Sequence, residues 1–328
     1  MSETGSFPSG TMPRGRQIPT YLGIGVPRAG TTWLHDLLGS HPEVYVPSRR
    51  KELSYFNLNY ERGPAWYRKF FPPEAEQGRY RAIGEVTPYY FYCDDCPERM
   101  VRAGVEKLVL ILRHPVDRAW SYYGQKIRNG MYRGSFEEFL RQSRWPVVDQ
   151  GHYSRYLSRY LHYFDRRQIL VLLFEEALPD IRSTTTILGS FLGVDAAGFA
   201  GSAAAETVNS SYVPRSRLLY GLAFRVAKVC RQYDLDWVVN AAKHLGIREA
   251  FGVGGKLAPM KLETRTRLEA SFQPEIAELE RLLDRPLDLW RQPRPGFSRA
   301  DGPGPALTGT DRGTDLAYEG LRNVSPPS

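Results

Sequence analysis

Three uninterrupted apolar runs organise the chain. They lie at 21–26 (YLGIGV), 107–112 (KLVLIL) and 168–174 (QILVLLF). Strands with continuous rather than alternating apolar residues are buried on both faces, so the runs predict a parallel sheet covered by helices. The pattern indicates an α/β, doubly wound fold.

A helical pattern follows each apolar run. Helices are predicted over Thr31–Leu38, from about Pro115, and over Asp180–Leu192. The segments 214–248 and 260–285 predict further helices, packed at one edge of the sheet.

The two ends of the chain differ from this central part in composition. Residues 1–18 are rich in Gly, Pro and Ser and predict a flexible segment, and residues 291–328 predict a disordered tail. Between them, residues 19–290 are expected to form one domain. The N-terminus has no apolar core of a signal peptide, and no early segment reaches the roughly 18 apolar residues of a membrane span. We therefore expect a cytoplasmic protein.

Charge and cysteine content narrow the function only slightly. The net charge is +8, from 44 basic and 36 acidic residues that are interspersed rather than grouped. This pattern is unlike a nucleic-acid-binding tail and agrees with an anionic ligand. Cys93 and Cys96 have no second ligand pair at zinc-site spacing. We expect no metal site, and free thiols in a reducing compartment.

The turn after the first apolar run has the spacing of a phosphate-binding loop. Gly25 and Gly30 occupy the glycine positions of G-x-x-x-x-G-K-[ST], and Thr32 occupies the Ser/Thr position. Thr31 replaces the lysine, and the nearest basic side chain is Arg28, inside the loop. The fold predicted is therefore of the P-loop type, with three layers and a central parallel sheet flanked by helices.

Backbone N–H groups at the start of the following helix are expected to face an anion, because the helix dipole favours negative charge there. The arginine adds a guanidinium group and the two threonines add hydroxyl donors. The candidate binding residues in this loop are Arg28, Ala29, Gly30, Thr31, Thr32 and Trp33.

A second candidate anion site follows the second apolar run. Arg113 lies where this strand ends, at the sheet edge where open α/β folds bind ligands. Ser121 lies eight residues further on, about two turns into the next helix. An arginine and a hydroxyl from these two positions are suited to a second phosphate.

Both motifs resemble those of sulfotransferases that use 3′-phosphoadenosine 5′-phosphosulfate (PAPS). VPRAGTTWL is similar to their 5′-phosphosulfate loop, and LRHPVDRAWSYY to their 3′-phosphate motif R-x-P-x-x-R-x-x-S-x-Y. The resemblance covers roughly residues 19–290. It implies PAPS as the cofactor, with no metal required. It also implies that Trp33 stacks on the adenine, although a tryptophan of the core is the equal alternative.

The resemblance also points to a general base. RKELSYF at 50–56 resembles the K-E-x-H-F-F segment of heparan sulfate sulfotransferases and their bacterial relatives. By this match Glu52 is the base and Lys51 its basic neighbour, while Ser54 replaces the usual histidine. His152, in a segment that lines the acceptor side in relatives, is a reserve base or substrate contact, or else an exposed loop histidine.

Two positions depart from the family pattern. Arg28 stands where family members most often have lysine; arginine keeps the charge but cannot give a proton to a leaving group. GEVTPYY at 84–90 resembles an E-K-[ST]-P-x-Y segment, but Val86 replaces its lysine. One cationic contact is therefore expected to be absent.

The leading hypothesis is sulfuryl transfer from PAPS to a hydroxyl group, or alternatively an amine, of a small-molecule, natural-product or glycan acceptor. Glu52 is the expected base, and Arg28 the expected stabiliser of the transferring group. Two alternatives stay open: a P-loop kinase of small molecules, and a nucleotide-binding module that has lost catalysis. Thr31 at the lysine position disfavours the kinase, and an intact Glu52 disfavours the inactive module.

Overall fold

A parallel sheet forms the centre of the molecule in the computed structural model. The structure describes residues 18–142, 146–200, 212–214, 226, 230, 253–256 and 259–292. Within these ranges the sheet has five strands in the order β2-β3-β1-β4-β5, every neighbouring pair parallel. The strands are β1 (Tyr21–Gly25), β2 (Val44–Tyr45), β3 (Ala82–Val86), β4 (Lys107–Leu112) and β5 (Ile169–Leu173).

Helices cover both faces of this sheet. The α-helices of the described residues are α1 (Thr31–Gly39), α2 (Gly63–Arg68), α3 (Glu74–Gln77), α4 (Cys96–Arg102), α5 (Pro115–Arg128), α6 (Phe136–Leu140), α7 (Tyr153–Tyr163), α8 (Phe174–Ala177), α9 (Ile181–Leu192), α10 (Leu262–Ser271), α11 (Gln273–Leu283) and α12 (Asp288–Arg291). Short 3₁₀ helices span Tyr60–Arg62, Pro88–Tyr92, Asp149–Gly151, Arg166–Gln168 and Ala196–Gly198. A small antiparallel pair joins β6 (Tyr212–Pro214) and β7 (Val253–Lys256).

The predicted α/β fold and its three apolar strands are confirmed. Alternate residues of the strands enter different apolar clusters: Leu22 and Leu110 lie in the cluster on one face, and Val109 and Ile111 in the cluster on the other. The central strands are therefore buried on both faces, as continuous apolar runs require.

Two strands of the five-stranded sheet were not predicted. β2 has only two residues, which is too short for any periodicity to register. β3 carries an acidic residue, Glu85, within an otherwise apolar run, although that side chain is 1% exposed. A buried carboxylate contradicts the usual preference of charged residues for the surface, and the apolar-run criterion therefore missed the strand.

Predicted helix positions agree with the described helices. α9 begins after Asp180, whose side chain accepts a hydrogen bond from the Ser183 N–H at 2.9 Å, as an N-cap residue does. The predicted segment 260–285 forms two helices, α10 and α11, because Pro274 in the first turn of α11 starts a new helix. The predicted segment 214–248 and the predicted tail lie largely outside the described residues.

The cysteine prediction needs a correction. Cys93 and Cys96 are joined by a disulfide, whereas free thiols were expected. A disulfide is typical of an oxidising compartment, so these cysteines no longer support a cytoplasmic location, which stays a prediction. No helix of the described residues is long and apolar enough to cross a membrane.

The sheet topology places several predicted side chains at one edge. Because the strands are parallel, the loops that follow their carboxyl ends emerge on the same side. Arg28 follows β1, Glu52 follows β2, Thr87 follows β3 and Arg113 follows β4. β1 lies between β3 and β4, and the connections run to opposite sides of it, which makes this edge the expected ligand site.

Candidate active site

The loop between β1 and α1 presents backbone N–H groups toward this edge. Gly30 is the N-cap residue of α1, with φ of 87°, and the Leu34 N–H donates to its carbonyl at 2.9 Å. The amides of Thr31, Thr32 and Trp33 precede that bond and have no acceptor within the helix. A Cβ atom at Gly30 would lie 2.9 Å from Cδ2 of Phe174, so glycine is required there for space as well as conformation.

Arg28 adopts a left-handed backbone conformation, with φ of 72°. This conformation costs roughly 1–2 kcal/mol for a residue with a Cβ atom. Its side chain reaches α5, where the Nε–H donates to Oγ of Ser121 at 3.2 Å. The strained loop thus brings the first motif against the second, 93 residues away in the sequence.

Arg113 completes this contact from the end of β4. Its Nη1 donates to the carbonyl oxygen of Arg28 at 3.2 Å, and its guanidinium carbon lies 4.5 Å from the ring centre of Phe174. The two predicted anion-binding arginines are therefore neighbours in the structure.

The Arg113 guanidinium is prepared for an anion. Its Nε atom is buried and has no hydrogen-bond partner among the described residues. Burial lowers the pKa of Arg113, although arginine remains charged at any physiological pH. A partly buried cation with a buried, unused N–H group is costly until a negatively charged ligand binds, so this site fits a phosphate group.

Two residues missed by the sequence analysis hold this second motif in place. The Glu175 carboxylate accepts the His114 N–H at 2.9 Å and the Trp290 indole N–H at 3.0 Å. On the other side, the Tyr153 hydroxyl donates to the Arg113 carbonyl at 2.8 Å. The acidic pair Glu175 and Glu176, in the segment LLFEEAL at 172–178, was the available signal for Glu175, but no pattern connects it to a tryptophan 115 residues away.

The loop after β2 carries the predicted base. Glu52 is half-buried and has φ of 55°, and Ser54 has φ of 51°. The ammonium group of Lys51 contacts Oδ1 of Asp36, on α1, at 2.7 Å. This ion pair connects the loop of the predicted base to the helix that begins at the phosphate-binding loop.

Hydrogen bonds from the end of β3 fix the same loop. The Ser54 N–H donates to Oγ1 of Thr87 at 3.1 Å, and the Tyr55 N–H donates to the hydroxyl oxygen of Tyr90 at 2.8 Å. Both hydroxyls in turn donate to the carboxylate of Glu85, at 2.7 and 2.5 Å respectively. Burial raises the pKa of Glu85 to about 7, and these hydrogen bonds oppose the shift.

Trp33 is buried in the apolar core. It is 1% exposed and belongs to the apolar cluster between the sheet and α1. Stacking on an adenine requires an exposed ring face, which this position does not offer. Its burial favours the core alternative, and the adenine contact stays a prediction.

His152 contacts the C-terminal helical region. Its side chain is 42% exposed, and its Nδ1 lies 3.5 Å from Oε2 of Glu275. Its ring also packs against Phe272, so both partners belong to the C-terminal helical region. Its predicted role as a reserve base stays a prediction.

No group of three or more His, Cys, Asp or Glu side chains among the described residues is placed to hold a metal ion. The positive charges at the sheet edge come from arginine instead. The arrangement can bind two anionic groups of one ligand at the ends of β1 and β4. The loop that carries Glu52 follows β2, which is separated from β1 by β3.

The sequence matches the family described as "Sulfotransferase domain" over residues 20–213. Human heparan sulfate glucosamine 3-O-sulfotransferase 3B1 is 30% identical over 202 residues, covering 59% of this chain and 50% of that protein. Mouse bifunctional heparan sulfate N-deacetylase/N-sulfotransferase 4 is 27% identical over 295 residues, covering 83% of this chain and 31% of that protein. The chain therefore spans about half or less of the curated relatives it matches.

A solved structure shares the fold. The sulfotransferase from Alicyclobacillus acidocaldarius superposes with a TM-score of 0.58 and 24% sequence identity, covering 84% of this chain and 99% of that one. The likeness agrees with the parallel sheet and its flanking helices.

Proposed function

Because this chain belongs to the sulfotransferase domain family, we propose that it transfers the sulfuryl group of PAPS to an acceptor hydroxyl group. The contact between the two anion-binding motifs is the observation that carries the proposal. Arg28 bonds to Ser121, and Arg113 bonds to the Arg28 backbone. A ligand with two separate anionic groups, such as PAPS, suits this pair of sites better than a simple monophosphate.

The donor would be held by the residues of both motifs. The amides of Thr31, Thr32 and Trp33, together with the Arg28 guanidinium, would bind the 5′ group, and Arg113 with Ser121 the 3′-phosphate. When bound, PAPS supplies an activated sulfuryl group. Arg28 would stabilise the charge that develops on the leaving oxygen, without donating a proton. Charge balance at this site is available from arginine, so we propose that no metal is required.

Glu52 would act as the general base. A hydroxyl group is a weak nucleophile until its proton is removed, and a carboxylate within hydrogen-bond reach can accept that proton during attack. The left-handed conformation of Glu52 shows that its loop holds an uncommon geometry, which agrees with a functional position. Lys51, paired with Asp36, would keep the loop close to α1.

The acceptor is proposed to be a glycan, with small molecules and natural products as alternatives. The names of the relatives supply the reason, since one acts on heparan sulfate as a 3-O-sulfotransferase and the other carries an N-sulfotransferase. A hydroxyl acceptor is the first choice and an amine the second.

A transfer assay with two matched glycans tests this function. PAPS is incubated with the protein and either N-sulfated heparan sulfate or the same polymer with free glucosamine amines, and the gain of one sulfonate is followed by mass spectrometry. Gain on the first polymer alone supports hydroxyl transfer, and gain on the second alone supports amine transfer. Transfer of phosphate from ATP, with none from PAPS, would favour the kinase alternative and contradict the proposal.

A further inference from the structure

We propose that Glu85 is a positioning residue for Glu52: its carboxylate orients two hydroxyl groups that hold the backbone of the loop carrying the predicted base. This loop is called the base loop below and comprises residues 51–56. The inference rests on the proposed function only for the role of Glu52 itself.

The base loop turns four consecutive backbone N–H groups toward the end of β3. The Leu53 N–H bonds to the Glu85 carboxylate directly. The Ser54 N–H donates to Thr87 at 3.1 Å, and those of Tyr55 and Phe56 donate to the Tyr90 hydroxyl at 2.8 and 3.4 Å. A strand or helix does not direct four successive amides to one neighbour, so the loop depends on these acceptors.

The direction of the hydroxyl hydrogens gives Glu85 its importance. Each hydroxyl has one hydrogen to donate and two lone pairs to accept. When the carboxylate is ionised it only accepts, so the hydrogens of Thr87 and Tyr90 then point toward Glu85. Their lone pairs are then free to receive the amides of the base loop. If Glu85 becomes a donor, at least one hydroxyl must turn, and an amide of the loop loses its acceptor.

The conformation of the base loop shows why it needs this support. Glu52 and Ser54 both have left-handed backbone angles, with φ of 55° and 51°. Such residues persist only where the surrounding structure holds them. The carbonyl groups of the loop are also held, since the side-chain amide of Asn59 donates to the Leu53 carbonyl at 2.9 Å. Glu52 thus precedes a segment that is fixed from both sides.

Burial of the Glu85 carboxylate costs free energy that a purely structural side chain would not cost. It is 1% exposed, and among the described residues its side-chain partners are three hydroxyls, those of Thr87, Tyr90 and Tyr67. Hydroxyls compensate a buried charge less well than a cation does. An apolar residue would suit this strand position better, unless the carboxylate has a task at the site.

Hydrogen–deuterium exchange on Glu85→Gln tests the inference without any acceptor. Glutamine keeps the size of the side chain but adds a donor in place of an accepting oxygen. The amides of Ser54, Tyr55 and Phe56 are expected to exchange at least about tenfold faster, because a hydrogen bond lost at a buried site changes local opening by that order. The exchange rates of the β4 amides are expected to stay within about twofold of those in wild type.

Two tyrosine variants form a matched pair of controls. Tyr90→Phe removes the acceptor of two loop amides and should raise exchange at Tyr55 and Phe56 as Glu85→Gln does. Tyr67→Phe removes a hydroxyl that also donates to Glu85, at 3.3 Å, but that accepts no loop amide among the described hydrogen bonds. In this variant the exchange rates of the base-loop amides should stay within about twofold of those in wild type. Tyr90→Phe leaves Glu85 unchanged. If Glu85→Gln does not fold, Tyr90→Phe can therefore test the inference in its place.

Three outcomes overturn the positioning role. They are an unchanged base loop in both Glu85→Gln and Tyr90→Phe, equal effects of Tyr67→Phe and Tyr90→Phe, and faster exchange throughout β4 as well as the loop. In the transfer assay, Glu85→Gln should lower kcat about tenfold while the KM for PAPS changes less than about twofold. If wild type transfers no sulfuryl group but the exchange pattern holds, only the proposed function fails.

Discussion

The two sides of the site are built in different ways. On the side proposed to bind PAPS, called the donor side, Arg28 bonds to Ser121 and Arg113 bonds to the Arg28 backbone, and each residue lies after a strand end or in the following helix. On the acceptor side, the base loop has no regular structure and is held by side chains of β3 and the turn after it. The donor side is thus specified by local motifs, and the acceptor side by a buried network.

This difference separates binding from catalysis. A change in the base loop should alter turnover and leave PAP (3′-phosphoadenosine 5′-phosphate) binding intact, whereas a change at Arg113 should mainly weaken PAP binding. The predictions below are ordered from the largest expected effect to the smallest.

The largest effect is expected for Glu52→Gln. Loss of a general base lowers kcat by about 10²- to 10⁴-fold, because the acceptor must then lose its proton without assistance. The variant should bind PAP within about twofold of wild type by calorimetry. A variant that transfers the sulfuryl group at the wild-type rate would remove Glu52 from the mechanism.

Glu85 is expected to impose a pH dependence on stability. Its pKa in the folded protein is about 7, above the ordinary value of 4.5, because burial disfavours the charged form. The folded state therefore binds this proton more tightly. The stabilisation is present below about pH 4.5 and is lost as the pH rises through 7, a difference of roughly 3 kcal/mol. Tyr21, Tyr67 and Tyr90 face the carboxylate, and burial raises the pKa of each well above 10, so they remain neutral in this range.

Urea unfolding of wild type and Glu85→Gln between pH 5 and pH 8 measures this effect. The free energy of unfolding of wild type, relative to the variant, should fall as the pH rises, while other titrating groups cancel between the two proteins. A relative stability that is constant or increases with pH would contradict the raised pKa.

Arg113→Ala should weaken PAP far more than adenosine 5′-monophosphate. Hydrogen bonds to a charged group contribute about 1.5–3 kcal/mol, so PAP affinity should fall roughly 10- to 150-fold. The monophosphate lacks the 3′ group and should lose less than about threefold. Similar losses for both ligands in calorimetry would show that Arg113 does not bind the 3′-phosphate.

Trp33→Phe should have the smallest effect on ligand binding. The side chain is a core residue, so the smaller ring should lower the free energy of unfolding by about 1–3 kcal/mol through the space that it leaves. PAP affinity should remain within about twofold. A tenfold loss of PAP affinity, with unchanged stability, would instead restore the adenine-stacking role.

The anion-binding role of Arg28, Ser121 and Arg113 stays a prediction, but the motifs that carry these residues could be found in the sequence because their determinants are local. A glycine turn before a helix and an arginine at a strand end can be recognised from spacing alone, and the structure brings Arg28, Ser121 and Arg113 together. The strand at β3 and the contacts of Glu85 were not predicted. Its partner Tyr67 lies 18 residues before it, in the short helix α2, and Tyr90 lies five residues after it, in a 3₁₀ helix. Both helices are too short for a periodic apolar pattern to reveal them.

The role of Trp33 was left undecided by the sequence for a related reason. One helix face of α1 packs on the sheet and the other faces the loops, and a single tryptophan in the first turn is compatible with both. The burial of Trp33 follows from its packing in the apolar cluster. This packing depends on strands that are distant from Trp33 in the sequence.

Calorimetry with PAP, ATP and GTP, each with and without magnesium, tests the central claim most directly. The arginine-based donor site predicts that PAP binds most tightly and that its affinity does not depend on magnesium. Binding of ATP that requires magnesium and exceeds that of PAP would contradict a sulfuryl-transfer site.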